Sequence, residues 1–311
     1  MSTQLLRILL VLLWIATRAA WAADDLIARQ SAQLPERPLR IITLDDVATE
    51  LVTSLGLAPV GVANLAGYRR YVGLGADLLK DSQPLGSIQQ PDLEAIARLR
   101  PDLILGSGYL HLGLFRRLES LGPTLLYRYG MDTADDDAVA RASALLSDLG
   151  RRVGRTAEAT AVNIQADRAL ADTQVAAQAA GIVGQPFAVL FPLPQQGVFI
   201  TLNRRVLINA LVRRLGGQDP WPLVSDRVLH RYHNVQEIAA IPDLTALFVG
   251  EQTGHPFFRS SLWQAMPLAR SGRHASLPSP YWTFGGPASV TMLAHQIATA
   301  LRGVPPPPNG R

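Results

Sequence analysis

Cysteine is absent from all 311 residues. That excludes disulfide staples, thiol nucleophiles and thiolate metal sites, and leaves packing to hold the fold. Charge is sparse, at 17% of residues with a formal net charge of +4. The arginines fall in scattered pairs such as Arg69-Arg70, Arg116-Arg117 and Arg213-Arg214, without the basic tract that grips nucleic acid. No apolar run approaches the ~18 residues that a membrane helix needs. Gly-x-Ser-x-Gly elbows, Walker loops and dinucleotide fingerprints are also missing, so an enzyme reading finds little footing. Aromatics supply only 6% of the chain, which makes rings gathered in glycine-rich segments stand out.

The longest apolar run opens the chain. Arg7 precedes the greasy residues 8–15, and Ala20-Trp-Ala22 then meets Ala23-Asp-Asp. That order is expected of a secretory signal peptide over residues 1–22, and the lack of a following cysteine argues against lipidation. Its removal would leave 289 residues with a net charge of +2, since Arg7 and Arg18 leave with it.

The remainder reads as repeated α/β units. Residues 39–44 form an apolar strand, Asp45 or Asp46 caps a helix running to Gly56, and residues 59–63 supply the next strand, a βαβ unit with parallel pairing. Gln90-Pro-Asp-Leu-Glu-Ala-Ile-Ala-Arg-Leu-Arg-Pro-Asp-Leu-Ile-Leu-Gly106 gives helix, turn and strand. The same plan returns in Asn234-Val-Gln-Glu-Ile-Ala-Ala-Ile-Pro-Asp-Leu-Thr-Ala-Leu-Phe-Val-Gly250. Between the copies, residues 155–180 contain neither glycine nor proline and predict a helical strut. The expected organisation is a signal peptide at 1–22, an N-terminal α/β lobe at 23–150, a linking helix at 151–184, a C-terminal α/β lobe at 185–303 and a disordered proline-rich tail at 304–311. Asp135-Asp-Asp137 suits the positive end of the helix that follows it.

His230-Arg-Tyr-His233 could hold a transition metal together with His111, His255 or a carboxylate, though three of the four ligands have no spacing to support them. The aromatic candidates are Tyr71, Tyr109, Tyr232, Trp282 and Phe284; Tyr71 and Phe284 are as open to core packing as to a ligand, whereas Tyr109 and Trp282 lie in glycine-rich loops where burial in a core would be awkward.

The first of the two repeated segments resembles the helix-strand signature of periplasmic binding proteins for siderophores and cobalamin, whose lobes are joined by one long helix. Leu262-Trp-Gln-Ala-Met-Pro-Leu-Ala-Arg-Ser-Gly-Arg273, followed by Tyr281-Trp-Thr-Phe-Gly285, is similar to the ferric-hydroxamate (ferrichrome-type) branch of that family. Tyr68-Arg-Arg-Tyr71 and Ser107-Gly-Tyr109 add to the likeness. The resemblance implies a bilobate α/β fold and capture of one intact ferric siderophore for an inner-membrane ABC permease. It also implies a monomer in the periplasm, with no cofactor and no catalysis. Ligand contacts would fall on Tyr71, Tyr109, Tyr232, Trp282, Thr283 and Phe284. The family's first-lobe arginine falls near Ile88 here, so Arg69 or Arg70 would replace it, or the chelate would differ. Permease docking would use Glu237 on the second lobe and Glu119 on the first. Haem, cobalamin or a bare metal ion are the alternative ligands, and a periplasmic enzyme acting on the chelate is the alternative of another class.

Overall fold

The computed structural model describes residues 26–131, 133, 137–195, 197–221, 228–250, 252, 254–278 and 284–307. The signal segment lies outside that set. Among the described residues no helix is long and apolar enough to cross a membrane.

Short apolar runs become the strands of the first sheet: β1 (Ile27–Gln30), β2 (Ile41–Thr43), β3 (Gly61–Val62), β4 (Gln83–Pro84), β5 (Leu103–Ser107) and β6 (Thr124–Tyr127). Their order is β1-β6-β5-β2-β3-β4, and every pairing is parallel except β1 with β6. Alternation sends Ile41, Leu103, Leu105 and Leu125 to one face and Ile42, Ile104 and Leu44 to the other, each into its own core. Helix α1 (Asp46–Ser54) covers the first face; α2 (Leu93–Leu99) and, beyond the turn α3 (Gly108–His111), α4 (Phe115–Glu119) cover the second. The chain winds outward in opposite directions from β2, so the crevice at the carboxyl ends of β2 and β5 is the switch point where such sheets bind ligands.

The connection between lobes is a hairpin of α5 (Ala138–Arg152) and α6 (Thr156–Ala179), turned at Gly154 with φ +70°. At 1.5 Å per residue, α6 is ~36 Å long, enough to cross both lobes. Ala159 near its start packs in the first core, and Ala166, Leu170 and Ala177 pack in the second. Helix α5 makes the return crossing, with Val139 and Ala142 in the second core and Leu145, Leu146 and Leu149 in the first. Asp137 caps α5, its carboxylate accepting from the Ala140 N–H and from Arg214 of the second lobe.

The second sheet comprises β7 (Phe187–Pro192), β8 (Val198–Leu202), β9 (His230–Asn234), β10 (Thr245–Val249) and β11 (His274–Leu277), ordered β11-β10-β7-β8-β9. Strands β11, β10 and β7 run parallel, while β8 and β9 are antiparallel additions. Helices α7 (Leu207–Arg214), α8 (Val235–Ala239), α9 (Ser261–Ala265), α10 (Pro267–Ser271) and α11 (Pro287–Leu301) complete the lobe. Close packing of α11 on α6 is sealed by Thr173, whose hydroxyl donates to the Ala294 carbonyl at 2.9 Å.

The start of the proline-rich tail departs from expectation. Val304 is buried, the Pro305 carbonyl accepts from Arg273 at 2.6 Å, and Pro307 lies against Gly181. Proline forbids helix but keeps its carbonyl as an acceptor, so an extended segment can still dock.

Candidate ligand-binding cleft

The lobes meet where strand ends converge. Tyr129 and Gly130 follow β6, Asp45 follows β2, and Phe284 to Gly286 lead from beyond β11 into α11. Phe284 is wedged here, packed on both the first and second cores, with its ring 2.9 Å from where a Cβ on Gly130 would stand. Its φ of +88° and the ring together require glycine at that position. Phe284 thus packs at the lobe boundary, where it also lines a cavity with Tyr129, Thr133, Arg141 and Leu207.

Asp45 is the N-cap of α1, its Oδ1 accepting from the Ala48 N–H and from the Tyr129 hydroxyl. Next to it, burial and the Asp45 charge push the Asp46 carboxyl up to about 6, against a hydrogen bond from Asn64. One turn on, Glu50 is fully buried and crosses the boundary. Its Oε2 accepts from the Gly286 N–H at 2.9 Å and the Ser289 hydroxyl at 2.5 Å, and its Oε1 accepts from the Ser289 N–H at 2.7 Å. Burial pushes this carboxyl up, opposed by the hydrogen bonds it accepts. The sequence reading missed Glu50. The signal was present: it lies three residues after Val47 on the apolar stripe of α1, and the partner helix starts at Gly286, which has no capping side chain.

The tyrosines of the first lobe divide sharply. Tyr68, Tyr127 and Tyr129 are buried, with hydroxyls bonded to the Leu74 carbonyl, Asp148 and Asp45. Tyr71 and Tyr109 are 47% and 59% exposed. Tyr109 stands on α3, directly after β5; the glycine-rich loop expected there is a helical turn. Tyr71 lies in the π-helical turn Tyr68–Val72 that follows β3, with the Arg70 guanidinium 5.2 Å from its ring centroid. Arg69 instead donates to the Leu79 carbonyl at 2.6 Å, so Arg70 is the cation beside an exposed ring. Tyr109 thus sits at the carboxyl edge of the first sheet, and Tyr71 lies on the long connection between β3 and β4.

Tyr232 is 61% exposed on β9, the outer strand of the second sheet. Trp282 and Thr283 lie outside the described residues. Glu119 ends α4 on the surface, and Glu237 accepts from His233 Nδ1 at 3.0 Å while remaining part-exposed.

Three of the histidines, His111, His233 and His255, are engaged structurally, while His230 stacks edge-on against Tyr232. His111 is buried, with Nδ1 accepting from the Ser107 N–H and Nε2 donating to the Ile88 carbonyl, which pins the loop where the family arginine would stand. His233 packs on Trp221 and uses both nitrogens, on Thr201 and Glu237; burial holds its pKa below the usual range. His255 likewise uses both, on the Leu193 carbonyl and the Phe257 N–H. A metal would have to displace these bonds, and among the described residues no group of three His, Asp or Glu could hold one.

Comparison with known proteins agrees with this architecture. Residues 41–235 match a family model described as periplasmic binding protein. The Fe(3+) dicitrate-binding periplasmic protein FecB of Escherichia coli is 28% identical over 153 residues, covering 49% of each chain. A probable siderophore-binding lipoprotein of Bacillus subtilis is 30% identical over 40% of this chain and 43% of its own. These matches thus span half or less of the relatives' length. The iron(3+)-hydroxamate-binding protein FhuD of Escherichia coli aligns over 94% of this chain and 93% of its own at 23% identity. Among solved structures, a siderophore-binding protein FhuD of Vibrio cholerae, bound to ferric Desferal, superimposes with a TM-score of 0.73. It covers 86% of this chain and 99% of its own at 23% identity.

Proposed function

This chain belongs to the periplasmic binding protein family, and from that premise we propose that it captures a ferric siderophore of the hydroxamate type and delivers it to an inner-membrane ABC permease. A saturated ferric chelate needs no ligands from the protein. It needs apolar area with a few donors to orient its oxygen-rich face.

The observation that carries the proposal is the division of the first-lobe tyrosines. Three are satisfied inside, while Tyr109, directly after β5, and Tyr71, on the connection after β3, leave their rings exposed with no hydrogen bond among the described residues. Stable folding gains little from two exposed rings, but a bulky ligand gains a wall. Arg70 places a cation beside that wall for anionic chelate oxygens. Tyr232, Trp282 and Thr283 are proposed to complete it from the second lobe. Arg69 is proposed to support the turn that carries Tyr71.

The same reading puts the mature, unlipidated protein in the periplasm as a monomer without catalytic activity, docking through Glu119 and Glu237. The test is tryptophan fluorescence quenching against ferric hydroxamates, ferric catecholates, haem, cobalamin and free divalent metals. Saturable quenching by ferric hydroxamates supports the reading. Quenching by zinc or manganese alone would overturn it.

A further inference from the structure

We infer that Glu50 is a positioning residue for ligand capture, fixing the spacing of the two walls of the cleft from beneath. The inference rests on the proposed function, because it names what sets the geometry of that same site.

The carboxylate belongs to α1 of the first lobe, and all three of its donors belong to residues 286–289 at the start of α11 in the second. Gly286, the N-cap of α11, has no side chain with which to satisfy the free N–H groups of the first turn. Glu50 satisfies them from the other lobe and places negative charge where the helix dipole favours it. Both glycines are required for this approach. A Cβ on Gly286 would stand 3.0 Å from Glu50 Oε1, and one on Gly285 would stand 3.2 Å from Oε2 and 2.5 Å from Ser289.

Cohesion alone does not explain a carboxylate here. Burying a charge is expensive, and apolar side chains of similar volume hold an interface at least as well. Apolar surfaces can slide, however, whereas three hydrogen bonds to one planar group fix distance and angle together. Helix α1 starts three residues after β2, which pairs with β5, the strand that leads to Tyr109. Helix α11 starts three residues after Phe284. At this point of the boundary the two walls are joined through one glutamate side chain.

The absence of native cysteine makes the test direct. Lys80→Cys and Leu262→Cys place spin labels on exposed sites of the first and second lobes, and double electron-electron resonance reads the distance distribution between them. Glu50→Gln puts an amide NH2 where an acceptor is needed. It is expected to broaden the distribution and to weaken binding of a ferric trihydroxamate at least tenfold. Ser289→Ala removes one donor and is expected to shift both readouts the same way by less, which keeps the test open should Glu50→Gln fold poorly. A lower melting temperature with an unchanged distance distribution and unchanged affinity would overturn the inference, leaving Glu50 as cohesion only. If the parent protein binds no ferric hydroxamate, the proposed function falls, yet the distance distributions still decide whether Glu50 sets the lobe spacing.

Discussion

Arg273 closes the Leu-Trp-x-x-Met-Pro-x-x-x-x-Gly-Arg stretch and is only 1% exposed. Its Nη2 donates to the Thr245 hydroxyl at 2.6 Å at the start of β10. Its Nη1 donates to the Pro305 carbonyl at 2.6 Å and to the Ala180 carbonyl at 3.3 Å, just past the end of α6. One guanidinium thus ties together a central strand, the interlobe strut and the tail. Arg273→Met keeps most of the stem and removes every donor. The Ala180 carbonyl and the Thr245 oxygen are then left buried, at ~1–3 kcal/mol each, while the Pro305 carbonyl can turn to water. Relief of a buried cation offsets part of this, since burial already draws the guanidinium pKa down. The expected net loss is ~2–4 kcal/mol. With an unfolding entropy of about 2.1 cal/mol/K per residue, that is a fall of ~3–7 °C in calorimetry. Arg273→Lys, which keeps one donor, should lose about half as much. Hydrogen exchange at the Val304 amide, now bonded to Leu301, should accelerate in parallel. An Arg273→Met protein that melts with the parent and keeps Val304 protected would refute the clamp.

Three further outcomes are expected. The Asp46 carboxyl is raised to about 6 from 3.8, so the folded state binds its proton more tightly than the unfolded chain does. Its stabilising contribution is full below pH ~4 and is lost as pH rises through 6. Asp46→Asn should therefore gain ~1–2 kcal/mol at pH 7, after discounting for partial exposure, and flatten the pH 4–6 limb of the melting profile; a profile parallel to the parent would contradict this. Gly130→Ala combines a left-handed backbone with a Cβ 2.9 Å from the Phe284 ring. It should cost ~2–4 kcal/mol in urea titration, and a loss below ~1 kcal/mol would show that Phe284 moves freely. Tyr109→Ala and Trp282→Ala should each weaken ferric hydroxamate binding at least tenfold, about 1.4 kcal/mol. Unchanged affinity would remove that residue from the site.

What the sequence disclosed about the fold follows from periodicity and composition. Residues 102–106 read as a strand from the apolar run Leu-Ile-Leu, and the strand stands at Leu103–Ser107, buried throughout because it is covered on both faces. The glycine-free strut is realised as α6. Three strands escaped notice for the opposite reason. Strand β1, Ile-Ala-Arg-Gln, strand β4, Gln-Pro, and strand β9, His-Arg-Tyr-His-Asn, are edge strands with one neighbour each, and β9 buries only His233. Edge strands need little apolar alternation, so their residues look like loop. Helix α5 was legible as a helix but not as a second crossing, because which lobe a helical face meets depends on tertiary arrangement. The two helix-turn-strand copies did return as α2 with β5 and α8 with β10, each turn holding one non-glycine residue at positive φ, Arg100 and Asp243.

The site shows a sharper version of the same limit. Residue type distinguishes a ring from a carboxylate, but only placement distinguishes a ring that meets a ligand from one that joins two cores. Tyr71 and Tyr129 are equally tyrosine in sequence; the second is buried where Asp45 supplies the acceptor its hydroxyl needs, and the first stays exposed on a turn that buries Tyr68 and Val72 instead. Phe284, in an aromatic cluster that resembles a ligand-facing one, packs at the lobe boundary because Gly130 opens a slot for it. The identity of a cleft residue is thus decided by what stands opposite, often more than a hundred positions away, as with Glu50 and Ser289. Polar groups on the apolar stripe of a helix, paired with glycines at the start of another, are the pattern by which such boundaries can be sought in related chains.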